Sequence, residues 1–271
     1  MLPLALTLLG TAVALALLCP HLLTKGRWQL FHPRAALTIW FGSFGLGATA
    51  ALFGFALGVV AIESVRHANP HTPGVAVTEA IWVAAGISGL AAAFVFLCAG
   101  SLQSLHPDLH SQAIAYARDE HIGFTLVRFH SDMPEAYAVP GRRPEIFVSS
   151  AMGQLLTAPQ LQAVLAHEFA HLRHRHGLAM RIAQLNALFL PGTRIGRALE
   201  RATRLQIELA ADDAAARQVG AVHLANALTV LATATQDVGM TLRAQRLTQK
   251  RWPAAQRRRL PQGLRAAPQL R

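Results

Sequence analysis

The chain has 271 residues, 52% of them hydrophobic and only 14% charged, with a formal net charge of +11. That balance excludes an ordinary soluble domain, in which about a quarter of residues are charged. Two cysteines also exclude a disulfide-built secreted scaffold.

The apolar residues come in blocks. Leu2 to Leu18 is an uncharged run of about the minimum length for a spanning helix. It has no Lys or Arg ahead of it and no small-residue cleavage site before Cys19, so a retained helix is expected rather than a signal peptide. Ala35 to Ile62 is a longer uncharged run with five glycines, which membrane helices tolerate and use for close approach. Ala80 to Leu102 is the third. Three N-terminal transmembrane helices, at about 2–18, 35–62 and 80–102, are therefore expected within a transmembrane region spanning 1–102. The first loop carries Lys25, Arg27 and Arg34 and no acidic residue. The second has Arg66 as its one fixed positive charge. The positive-inside rule then puts the first loop, and everything after the third helix, in the cytoplasm. Cys19 and Cys98 fall at helix ends and belong to no metal-type cluster.

Beyond residue 103, Leu105 to Glu120 reads as a short amphipathic helix. Phe124 to Phe129 alternates like a strand. Ala136 to Val139 and Ile146 to Ser149 are two more short strands joined by the turn signal Pro140-Gly-Arg-Arg-Pro144. The fold class is thus mainly α with a small β-sheet. Such a sheet either holds an extended peptide along its edge or simply covers the core.

Thr157, Pro159 and Gln160 then form a capping-box start, and Leu161, Leu165, Phe169 and Leu172 recur at helical spacing. On that helix stands His-Glu-x-x-His, as His167, Glu168 and His171. Residues four apart share a helix face, so both imidazoles can reach one metal ion, with Glu168 beside them to take a proton from water. Gly177 is the expected stop. Leu178 to about residue 192 is apolar but short; an interfacial helix, a re-entrant segment and part of a further span all remain open.

A catalytic zinc typically takes three protein ligands. Arg197 to Arg217 reads as an Ala-rich helix carrying Glu208, a ligand of the right type; Glu200 is its rival, and a solvated helix face is the plain alternative. Asp212 lies one turn on, placed to accept the other ring N–H of a histidine ligand. His223 to Thr235 reads as an amphipathic helix. From Gly239 to Arg271 there is no acidic residue and much arginine, and a basic, disordered tail is expected.

The segments Ala136 to Ser150, Leu161 to Arg173 and Ile207 to Arg217 together resemble the M56 membrane metallopeptidases, the relatives of the β-lactam sensor-transducers. The M48 family shares the same gluzincin logic and is the alternative; the phrase Val139-Pro-Gly-Arg-Arg-Pro144 favours M56. The resemblance implies a gluzincin-type zinc peptidase domain over 103–238, one Zn2+ per chain held by His167, His171 and Glu208, Glu168 as general base, and Asp212 as the carboxylate behind a ligand. The chain departs from those sensor-transducers in ending on a basic tail, so no counterpart of their extracellular penicillin-binding domain is expected.

The expected activity is zinc-dependent endopeptidase cleavage at the cytoplasmic face of the cell membrane, acting on a protein or peptide substrate such as a cytosolic transcriptional repressor. The alternatives are membrane-protein quality control of the M48 kind and a non-enzymatic sensor or scaffold with a structural zinc. No specific nucleic acid is expected, since the basic tail lacks a recognition fold.

Overall fold

The computed structural model describes residues 2–24, 28–68, 115–121, 123–189 and 194–252, together with isolated positions between 74 and 89. The chain divides into two compact units, one made of Met1–Leu102 and Arg181–Thr203, the other of Gln103–Met180 and Arg204–Arg271.

The first unit opens with α1 (Leu2–Thr24), a single turn α2 (Trp28–Phe31) and α3 (Pro33–Ala68). Gly47 of α3 lies against Leu15 and Ala12, and Gly54 against Ala5, Leu8 and Leu9, so the two helices run antiparallel. Small residues are what bring them close: a Cβ on Gly54 would sit 3.0 Å from both the Ala5 carbonyl and Leu9. The outer face of α3 exposes Leu46, Leu52, Phe53 and Val60 by more than half, an apolar surface of the kind a bilayer covers.

Of the three expected spans, one is matched by a helix of sufficient length and apolarity among the described residues, the 36-residue α3. In α1 the apolar stretch is the shorter Leu2–Leu18. Residues 80–102 lie outside the described residues except for a few isolated helical positions, so three transmembrane helices are not established. Trp40 of α3, with Phe41, packs in this unit against Ile182, Ala183 and Leu199. These come from α6 (His176–Phe189) and α7 (Arg194–Val219). The 14-residue α6 is about 21 Å long, shorter than the hydrocarbon core of a bilayer.

The second unit is built on a four-stranded mixed sheet, β1 (Ala115–His121), β2 (Phe124–Phe129), β3 (Ala136–Val139) and β4 (Glu145–Ser149), in the order β1-β2-β4-β3. The hairpin expected from the turn signal is present: β3 and β4 pair antiparallel, with Tyr137 opposite Phe147. β2 and β4 are parallel, Val127 opposite Phe147.

β1 corrects the expected helix over 105–120, of which residues 105–114 lie outside the described residues. Residues 115–121 instead pair antiparallel with β2, His121 opposite Phe124, with Gly123 at φ 97 in the turn. An exposed edge strand carries no apolar alternation to announce it. Its backbone hydrogen bonds to β2, a tertiary contribution, decide the conformation.

One face of the sheet presents Phe124, Leu126, Ile146 and Val148 to α4 (Ser150–Leu155), α5 (Ala158–Arg173) and α8 (Ala221–Thr235). The start of α5 is as its sequence implies, with the Thr157 N–H donating to Gln160 Oε1 at 2.8 Å. Its end is not: α5 stops at Arg173, Arg175 takes a left-handed φ of 51, and Gly177 lies within α6.

A second apolar cluster joins α5 (Ala163, Ala166), α7 (Ala215, Ala216), α8 (Leu224, Leu228) and α9 (Val238–Gln249; Ala244, Leu247). Here the expectation of a disordered tail from Gly239 is corrected. Asp237 caps α9, accepting from the Gly239 N–H at 2.7 Å. Ala244 and Leu247 are buried, with the partly buried Met240 packed beside them, and Arg246 and Lys250 each hold the buried Asp213 of α7, at 2.7 and 2.6 Å. The basic residues that suggest a solvated tail are thus in part the partners of carboxylates on another helix. Residues 253–271 lie outside the described residues.

Candidate metal centre

Two helices meet at the site because both are lined with alanine. Ala163 and Ala166 of α5 and Ala210, Ala211, Ala215 and Ala216 of α7 are all at most 3% exposed. Small side chains let helix axes approach closely enough for His167 and Glu208 to touch.

His167, His171 and Glu208 each offer one ligand atom, and these atoms lie within 4.8 Å of one another. The two Nε2 atoms are 3.0 Å apart; Glu208 Oε2 is 3.3 Å from His167 Nε2, and Oε1 is 3.7 Å from His171 Nε2. The donor set, two imidazoles and a carboxylate, is that of a catalytic zinc. Tetrahedral ligands at about 2.1 Å from zinc stand about 3.4 Å apart, so these residues fit the ion. Glu200, the rival on α7, is not in the group.

Behind the ligand atoms each ring has a partner. Asp212, fully buried, lies 3.0 Å from His167 Nδ1. His176 Nδ1 lies 3.2 Å from His171 Nδ1. Arg243 of α9 holds Asp212 with two hydrogen bonds, Nε to Oδ2 at 2.8 Å and Nη2 to Oδ1 at 2.7 Å, while its Nη1 reaches Glu208 Oε2 at 3.0 Å.

The charges follow from this geometry. Burial opposes a charged imidazole at His167, but hydrogen bonds to Asp212 and Glu208 outweigh it and raise its pKa to about 10. The two carboxylates thus favour a proton on His167. Burial, then the neighbouring His167 charge, depresses His171 to about 3, so this ring is neutral, as a ligand must be. Burial alone would raise Glu208, yet His167 and Arg243 bring it down to about 2. Burial also opposes the charge of Asp212, but Arg243 and His167 hold its carboxyl well below the usual range.

Glu168 differs from both. Burial pushes it up to about 7, and the backbone N–H of Ala138 on β3 donates to it. A carboxylate poised near neutrality is suited to taking and returning a proton.

All five residues singled out in the sequence stand at this point, and the structure adds His176 and Arg243. His176 had a local signal, lying five residues past His171 in a His-rich run. Arg243 had none, being one arginine among many.

The M48 peptidase family model matches residues 99–248, more than half of the chain. This chain belongs to peptidase family M48. The expected M56 membership is therefore wrong. The two families share the helix-borne His-Glu-x-x-His and the later carboxylates, so those residues do not separate them, and the Pro140–Pro144 turn is no discriminator. M48 peptidases are zinc-dependent, in keeping with the donor set. The plastoglobule-localized metallopeptidase 48, chloroplastic, of Arabidopsis thaliana is 43% identical over 77 residues, which cover 26% of this chain and 22% of the relative. The match thus spans about a fifth of that relative's length. No solved structure matches.

Proposed function

We propose that this M48 chain is a membrane-anchored, zinc-dependent endopeptidase that cleaves protein segments at the cytoplasmic membrane face. The convergence of His167, His171 and Glu208 beside Glu168 is the observation that carries this reading. Zinc held there supplies Lewis acidity, polarising a carbonyl and lowering the pKa of water. Glu168 takes the proton of the attacking water and passes it to the leaving amine; burial, which raises its carboxyl pKa, favours holding that proton in between. Asp212 keeps His167 oriented, and Arg243 holds both Asp212 and Glu208 in place.

β3, at the end of the sheet order, carries the Ala138 N–H that reaches Glu168. An extended peptide added along this edge would lie next to the base. Such main-chain recognition is tolerant of sequence, which suits clearance of damaged membrane proteins better than cleavage of one regulator. The apolar α3 supports a membrane location. A multi-pass arrangement with the peptidase unit in the cytoplasm rests on the charge asymmetry of the first two loops.

The test is Glu168→Gln. Zinc content should stay at one ion per chain, while peptide hydrolysis should fall by at least about 100-fold. Hydrolysis at the wild-type rate would end the mechanism. Comparing new protein N-termini in cells carrying either form then tests the substrate class: fragments of membrane proteins support quality control, and a single soluble regulator argues against it. If the two forms yield the same N-termini while zinc is bound, the site is structural.

A further inference from the structure

We propose that His176 is the positioning residue for His171, the neutral counterpart of what Asp212 does for His167. The proposal rests on the zinc-site reading above. His176 is 5% exposed. Its Nδ1 lies 3.2 Å from His171 Nδ1, with the two rings edge to face, their centroids 4.9 Å apart and their planes at 85°. The other nitrogen of His171, Nε2, is the one that faces His167 Nε2 at 3.0 Å.

A ring that gives its Nε2 lone pair to a cation must carry its proton on Nδ1. That N–H needs an acceptor, and the lone pair on His176 Nδ1 is in place to be one. The opposite arrangement, with His176 donating to His171 Nδ1, would put a proton on His171 Nε2 and point it at His167. Only the first is compatible with ligation. Asp212 supplies an anion to its ring, whereas His176 supplies a neutral acceptor. The pair of ligands is thus held in one tautomer each, with no fourth carboxylate added to a site that already contains Glu168, Glu208 and Asp212.

The backbone is bent to make this contact. α5 ends at Arg173, the His174 N–H closes on the Ala170 carbonyl at 3.0 Å, and that of Arg175 on the Leu172 carbonyl at 3.2 Å. Arg175 then adopts φ 51, a conformation that residues with a Cβ rarely take. One residue later His176 starts α6, turned back under His171. Strain of this kind persists where the surroundings demand it and clusters at functional sites.

The test uses the full chain in detergent with zinc, measuring zinc affinity by competition with a chromophoric chelator. His176→Phe keeps a buried ring but no acceptor, and should weaken zinc by about 10- to 100-fold, the usual effect of losing a ligand's hydrogen-bond partner. His176→Gln returns a carbonyl acceptor and should recover most of that loss. Wild-type affinity in His176→Phe would overturn the proposal, as would equal loss in the Phe and Gln variants.

A second measurement needs no variant to fold. In the zinc-loaded wild type labelled with 15N-histidine, His171 should show its proton on Nδ1, hydrogen-bonded to an unprotonated His176 Nδ1. A proton on His176 Nδ1 instead would overturn the assignment while leaving the zinc site standing. A wild-type chain that takes up no zinc would remove the site reading itself.

Discussion

At the scale of single residues, the site is a problem in charge balance. Three carboxylates, Glu168, Glu208 and Asp212, share the site with three imidazoles, His167, His171 and His176, and one guanidinium. Arg243→Leu would leave Asp212 buried without its bidentate partner, and losing one side of a buried pair costs about 3–5 kcal/mol. A fall of that size in the free energy of denaturant unfolding is the expected outcome; no change would mean that water compensates the carboxylates. Arg243→Lys keeps the charge but cannot form the two-pronged bond to Asp212, and should recover only part of the loss. The His167 proton makes a second prediction. Hydrogen bonds to Asp212 and Glu208 raise its pKa well above that of a free imidazole, so those carboxylates favour a proton on His167, whereas zinc requires the ring neutral. Zinc uptake at neutral pH should release about one proton, read by calorimetry in buffers of different ionisation enthalpy. In Asp212→Asn the release should shrink, because the hydrogen bond that raises His167 is weakened.

At the scale of elements, the ligands meet because α5 and α7 touch through alanines. Ala163 is fully buried in the cluster that holds Ala215 and Ala216. Ala163→Leu adds three carbons where there is no room, at a cost of about 1–3 kcal/mol. The helices must part, so zinc affinity should fall along with the melting temperature. A loss of stability with affinity intact would show that the ligands do not depend on this contact. Helix spacing was readable in the chain: the stripe of Leu161, Leu165, Phe169 and Leu172 and the Ala-rich face of α7 are local patterns with a helical period. The strand β1 was not, because nothing in Ala115 to His121 alternates. Its conformation is imposed by β2.

At the scale of the whole molecule, the chain from Gly239 onward changes its meaning once folded. As sequence it is a run of basic residues; as structure its first part is α9, which closes the core with Leu247 and delivers Arg243 to the metal centre. Truncation after Thr235 removes both, and should leave a protein that binds no zinc and is cut readily within α7 and α8 by added protease. A truncated chain with wild-type zinc content would deny α9 any part in the site. The sequence by itself determined the helix-borne His167, Glu168 and His171 and the apolar run of α3, and it pointed to a carboxylate on a later helix as their companion. Each is set by spacing along one helix or by composition within one window. Family membership was open to misreading because the ligand pattern is common to two families. Only the tertiary structure decided that Glu208 rather than Glu200 faces the histidines, that β1 is a strand, and that His176 and Arg243 stand behind the ligands. Those outcomes depend on which helices and strands pack together and on which buried charges find partners. Among them, His167 and Arg243 stand 76 positions apart, a distance over which no local pattern speaks.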